Sequence, residues 1–178
     1  TMRQFAAVFA ISKFSSKACY PCYGMAETTL MISGRNKGTG FESHAIDRNT
    51  LNQNRIFWTT QDHPEAQEIV NCGPPRNGLK ARILQAETRQ LCDKNEIGEI
   101  WIQGGSVSPG YWQQAELNET IFQAEIKGQP AEGQWLRTGD LGFMREGDLY
   151  ITGRLKDLII IRGKNYYPQD IEASIAES

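Results

Sequence analysis

Leu136-Arg137-Thr138-Gly139-Asp140-Leu141-Gly142, followed shortly by Leu149-Tyr150-Ile151-Thr152-Gly153-Arg154-Leu155-Lys156-Asp157, is the densest block of the chain and the one from which its fold is read. Short β-rich runs are punctuated by Gly-Asp and Gly-Arg, which predicts strands joined by tight turns. A carboxylate on a glycine turn accepts hydrogen bonds from paired hydroxyls such as those of a ribose, and a nearby Arg meets ribose or phosphate oxygens. Taken alone, the fragment is better explained as a structural turn, because Gly-Asp is a common turn dipeptide.

Strands are expected around this block at 68–72, 79–85, 97–103, 134–138, 148–152 and 158–161, forming a small β subdomain over about 68–153. A short helix is expected at 116–124, with Asn118 or a nearby polar group as its cap. Pro168 is placed to open a helix at 169–176, since its missing N–H is unpaired in a first turn anyway. Toward the other end, residues 1–17 read as a helix and 18–23 as a strand running into Gly24. Residues 33–55 read as a long surface loop with at most one short strand. No internal repeat or low-complexity segment interrupts this pattern.

Composition narrows the function classes. The 178 residues are 39% hydrophobic and 22% charged, enough for a real core, and a net charge of -2 provides no basic surplus for a nucleic-acid partner. The apolar run at 5–11 is far shorter than the roughly 20 residues of a membrane span, so no span and a cytoplasmic location are expected. Four unevenly placed cysteines read as reduced thiols, not a disulfide framework. Cys19-Tyr20-Pro21-Cys22 lacks the companions of a redox pair, and His44 and His63 lie too far apart for zinc spacing and read as loop histidines.

The whole constellation says more than its parts. Cys22-Tyr23-Gly24-Met25-Ala26-Glu27-Thr28-Thr29, then Gly110-Tyr111-Trp112, then the Arg-Thr-Gly-Asp block, then Gly153-Arg154 through Gly163 occur in one order over nearly the whole chain. In that order and at those spacings the chain resembles the ATP-dependent adenylate-forming enzymes. The stretch Lys164-Asn165-Tyr166-Tyr167-Pro168-Gln169-Asp170 resembles specifically their fatty acyl-AMP ligase branch.

That resemblance implies a mixed α/β fold. Residues 1–155 would be the last part of a large adenylation domain, including the β subdomain, and 156–178 the hinge and beginning of a small mobile domain. It implies ATP and Mg²⁺ as cofactors, and a fatty acid and a holo acyl carrier protein as partners. Tyr23 would stack on adenine, with Gly24, Met25, Ala26 and Thr28 beside it at the nucleotide. Glu27 would act catalytically by holding Mg²⁺. Asp140 would take the ribose hydroxyls, Arg154 the ribose or phosphate region as a second catalytic group, Lys156 the hinge, and Gly163 the pantetheine passage.

Each assignment has a plainer alternative: a core tyrosine at a strand end, a solvated glutamate, a surface lysine, a turn glycine. Ala26 stands where most adenylate-forming enzymes have Thr; fatty acyl-AMP ligases often carry Ala there. The α-phosphate contact is left to Thr28 or backbone N–H groups. Tyr111 and Trp112 are expected to pack a subdomain interface. The phosphate-gripping loop and the catalytic lysine are expected outside this segment, so the isolated piece would be inert. A fatty acyl-CoA ligase and a non-catalytic nucleotide-binding fragment are the alternative functions.

Overall fold

The structure is a computed structural model that describes residues 2–161, 164–168, 171–172 and 175. Its elements are helices α1 (Met2–Val8), α2 (Arg48–Leu51) and α3 (Ala115–Ile121), and strands β1 (Cys22–Met25), β2 (Leu30–Gly34), β3 (Ser43–Asp47), β4 (Ala66–Val70), β5 (Lys80–Leu84), β6 (Gly98–Gln103), β7 (Ala124–Glu125), β8 (Gln134–Arg145), β9 (Asp148–Arg154), β10 (Ile159–Ile161) and β11 (Lys164–Tyr166). The fold is mixed α/β with sheet predominating.

The twelve-residue β8 is the spine. β5, β6, β8 and β7 run in that order in one antiparallel sheet, with β9 also on β8. β6 is covered on both faces. Ile100 and Ile102 point into one cluster with Tyr23, Ile32, Leu79 and Leu136, whereas Trp101 points into another with Leu84, Ala124 and Trp135, as a two-residue strand period requires. A third cluster joins Ile46, Leu51, Ile69, Phe143 and Tyr150 under the β3–β4 pair. The β1–β2 hairpin leans on the first cluster through Tyr23 and Ile32.

Several sequence expectations shift. The first helix ends at Val8, passes into a tighter turn at Phe9–Ser12, and stops where Lys13 turns left-handed at φ 61. The next strand begins at Cys22, four residues later than expected: Ser15 caps a short turn at Ser16–Ala18 and Pro21 lacks the N–H a ladder needs. Residues 33–55 are not one loop. They contain the end of β2, all of β3, and α2, whose first turn is capped by Asp47 accepting from the Thr50 backbone N–H at 2.9 Å. β3 is the one short strand allowed there; its place was not given because its order comes from pairing with β4, a partner that local sequence does not reveal.

α3 spans Ala115–Ile121 and is not capped by Asn118, whose amide faces the Tyr111 backbone instead. Residues 124–125 are strand, not helix. His44 lies on β3 and bonds Glu42 at 2.7 Å, so it is not a loop residue. Of the helix expected at 169–176, residues 169, 170, 173, 174 and 176 lie outside the described residues, as does Gly163. Among the described residues no helix is long and apolar enough to cross a membrane.

Candidate functional site

The site begins with a backbone constraint. Between Tyr23 and Gly24 the β1–β2 register slips, so that Tyr23 faces Ser33 and Gly24 faces Met31. A Cβ built on Gly24 would fall 1.6 Å from the Leu30 carbonyl oxygen, so only glycine permits this approach. The chain then makes the short turn Ala26–Thr28, and Thr29 and Leu30 return it to β2 with φ of 60° and 85°. This tight reversal presents Glu27 outward. Thr28 points the other way: it is 1% exposed and its hydroxyl donates inward to the Met25 carbonyl at 3.0 Å.

Glu27 is held from a second direction. The Ser108 N–H donates to its backbone carbonyl at 2.7 Å, and the Tyr111 hydroxyl donates to its Oε1 at 2.6 Å. Tyr111 is itself fixed, its N–H donating to Asn118 Oδ1 at 2.7 Å and its carbonyl accepting from Asn118 Nδ2 at 2.8 Å. Its ring stands edge-on to Phe122 with centroids 5.0 Å apart. The bond to Glu27 pushes the phenol up to about 12, so it stays a donor. Tyr111 therefore does more than the packing expected of it. Trp112 is 87% exposed among the described residues, and Tyr111 belongs to the site.

Asp140 forms the opposite wall. β8 and β9 pair it directly with Arg154, and Asp140 Oδ1 meets Arg154 Nε at 3.2 Å. The Tyr23 hydroxyl donates to the other oxygen, Oδ2, at 2.7 Å. Burial first, and the neighbouring Asp140 charge second, hold the Tyr23 phenol far above its ordinary range, so it remains protonated against the carboxylate.

A cavity of about 530 Å³ joins these walls. It is lined by Gly24, Met25, Ala26, Glu27, Asp140, Arg154 and Lys156 from among the residues singled out in the sequence, and by Thr138, Gly139 and Leu155 besides. A second cleft shares Gly24, Asp140 and Arg154 and adds Tyr23, Ile151 and Thr152. Tyr23 is only 9% exposed and packs in the core, so little of its ring is open to a ligand. Thr28, expected beside the nucleotide, is not among the lining residues. Tyr111 and Thr138 were not singled out in the sequence, although both sit in quoted motifs.

Two carboxylates, an Arg and a Lys lining one cavity suit a ligand that carries both a diol and phosphates. A single carboxylate such as Glu27 also fits Mg²⁺, which takes one or two protein oxygens and completes its shell with phosphates and water. Among the described residues no cluster of three or more His, Cys, Asp or Glu could hold a metal alone.

Comparison with known proteins follows the same lines. The profile of the AMP-binding enzyme family matches residues 1–112. The chain belongs to the AMP-binding enzyme family. A medium-chain fatty acid–[acyl-carrier-protein] ligase of Moorena producens is 40% identical over 180 residues, covering 100% of this chain and 30% of that protein. A long-chain fatty acid–AMP ligase of Mycolicibacterium smegmatis is 39% identical over 187 residues, with coverage of 100% and 30%. Among solved structures, a fatty acyl-adenylate ligase from Legionella pneumophila in complex with acyl adenylate and pyrophosphate superimposes with a TM-score of 0.81 at 41% identity, covering 99% of this chain and 30% of that one. This family member thus spans about 30% of the length of the relatives it matches.

Proposed function

We propose that this chain is the nucleotide-binding portion of a fatty acyl-AMP ligase, which activates a fatty acid with ATP to acyl-adenylate and pyrophosphate and passes the acyl group to a carrier-protein phosphopantetheine thiol. The observation that carries the reading is the convergence of Glu27, Asp140, Arg154 and Lys156 on one cavity. The identity of about 40% to ligases named for this chemistry supports it.

In this reading Asp140 accepts from the ribose hydroxyls, using lone pairs left over from Tyr23 and Arg154. The small open part of the Tyr23 ring lies against adenine, while its hydroxyl keeps Asp140 oriented. Gly24, Met25 and Ala26 follow the nucleotide with backbone. Arg154 and Lys156 neutralise phosphate charge, and Glu27, steadied by Tyr111, holds Mg²⁺. When bound, the metal would draw negative charge from the phosphate oxygens as the carboxylate attacks. These groups act by positioning and neutralisation.

Residues 1–155 then form the end of a large domain, with the β subdomain at 68–153. Lys156 marks the hinge into a mobile domain at 156–178, and Gly163 would lie on the pantetheine path. A cytoplasmic location fits the use of ATP and a carrier protein in this reading.

The test is mass spectrometry on the full-length enzyme given ATP, Mg²⁺, a fatty-acid panel, and CoA and holo-carrier protein in competition. Acyl-adenylate with transfer mainly to carrier is expected. Predominant acyl-CoA would make the enzyme a CoA ligase, and no adenylate with any acid would overturn the reading.

A further inference from the structure

Glu99 is the second residue of β6, sits in an otherwise apolar run, Ile97 to Ile102, and is 2% exposed. A buried carboxylate in that setting persists only when it is fully satisfied. Its partners are Trp101 Nε1 at 3.0 Å, two residues along the same strand face, Arg137 Nη2 at 2.8 Å and Nε at 3.0 Å, and the Gly139 backbone N–H at 3.1 Å. Every one of these is a donor. The Arg137 guanidinium, 5.5 Å from the Trp101 ring centroid, supplies the compensating charge.

The Gly139 contact connects this cluster to the cavity. β6 pairs Glu99 with Leu141 and Trp101 with Arg137, so Thr138, Gly139 and Asp140 all bulge opposite the single residue Ile100. Two side chains hold that bulge. The Thr138 hydroxyl donates to the Ile100 carbonyl at 2.7 Å and accepts the Asp140 N–H at 3.0 Å. Glu99 accepts the N–H of Gly139, whose φ of 71° no other residue adopts easily. All three bulged residues line the cavity.

We infer that Glu99 is a positioning residue for nucleotide binding: from behind the sheet it fixes the 138–140 bulge and thereby aims the Asp140 carboxylate. It touches no ligand. The role requires an acceptor-only group, because a glutamine would turn an N–H₂ toward one of the converging donors. The inference rests on the nucleotide-site reading above.

The test is AMP binding by calorimetry to the full-length enzyme as wild type, Glu99→Gln, Asp140→Asn and the double variant, with thermal melts of each. Glu99→Gln is expected to weaken AMP binding roughly 10- to 100-fold, the usual scale for a support behind a binding group. The double variant should bind no more weakly than Asp140→Asn alone, because both changes act through one carboxylate; a merely structural defect would multiply instead. Should Glu99→Gln fail to fold, Thr138→Val loosens the same bulge and should show the same coupling to Asp140. Wild-type affinity in Glu99→Gln (or, in its place, Thr138→Val), or independent effects in the double variant, overturns the inference alone. A wild-type enzyme with no AMP affinity overturns the nucleotide reading and this one with it.

Discussion

Replacing Asp140 by Asn separates binding from folding. The carboxylate accepts from Tyr23 at 2.7 Å and from Arg154 at 3.2 Å. An asparagine keeps the shape and one acceptor, so the buried Tyr23 hydroxyl retains a partner. The Arg154 side chain is 60% exposed, and a pair that open to solvent contributes at most about 1 kcal/mol. The amide N–H₂ must then face one of two donors, and the summed destabilisation should be about 1–2 kcal/mol. For a chain of this size that is a melting shift of about 2–8 °C.

Ribose hydroxyls lose far more. Hydrogen bonds to a charged acceptor contribute roughly 1.5–3 kcal/mol each, against about 1 for neutral ones. Two of them weakened together correspond to about 1–4 kcal/mol, or roughly 5- to 1000-fold in nucleotide affinity. Calorimetric titration of AMP into the full-length enzyme, beside a thermal melt, measures both. An affinity within threefold of wild type in a variant that melts normally would refute the assignment of Asp140 to the ribose.

Three further outcomes are expected. Gly24→Ala should melt well below wild type, by more than about 3 kcal/mol, because its Cβ would lie 1.6 Å from a backbone oxygen and the two strands must part; an unchanged melt would contradict the close approach. Tyr111→Phe keeps the ring on Phe122 but removes the donor to Glu27, so the Mg²⁺ concentration for half-maximal adenylate formation should rise roughly 10-fold while the melt stays put, and an unaltered Mg²⁺ curve counts against the role of Tyr111. Alkali should weaken the fold. Burial pushes Cys72 up to about 11 and Cys92 to about 12, from 9.0. It also pushes Tyr150 to about 12 from 10.0. These groups bind protons more tightly folded than unfolded, so their contribution is complete below about pH 9 and fades as pH rises toward 12. Urea midpoints at pH 8, 10 and 11 should fall in that order, and a flat series would show the thiols and phenol to be no better protonated in the fold than outside it.

How much of this was legible in the sequence depends on chain distance. Two strands flanking the Glu146-Gly147-Asp148 turn could be read, because a hairpin is a local event, but the expected strands stopped at 138 and 152, so the pairing of Asp140 with Arg154 came only with the structure. The strand running into Gly24 was visible in the same way, whereas the turn that carries Glu27 and the need for glycine before it came from the structure. The strands of the large sheet other than β7 were found too, since their apolar runs are bounded by polar turns, although β8 proved much longer than 134–138.

What only the tertiary structure decided is which side chains meet across long separations. Tyr23 reaches Asp140 across 117 positions, and Tyr111 reaches Glu27 across 84. No local propensity encodes either meeting. The inward turn of Thr28, the exposure of Trp112 and the order of β3 follow likewise from packing partners that residue type does not name. Glu99 was the nearest to a visible exception: a charge inside Ile97 to Ile102 announces a buried partner. That the partner set includes the Gly139 N–H beside Asp140 is a consequence of the β6–β8 bulge. Sequence thus determined the chemical groups and the local turns that present them, because backbone conformation and strand patterning act over a few residues. The fold decided their mutual distances, because burying the three apolar clusters fixes strands against one another wherever they lie along the chain.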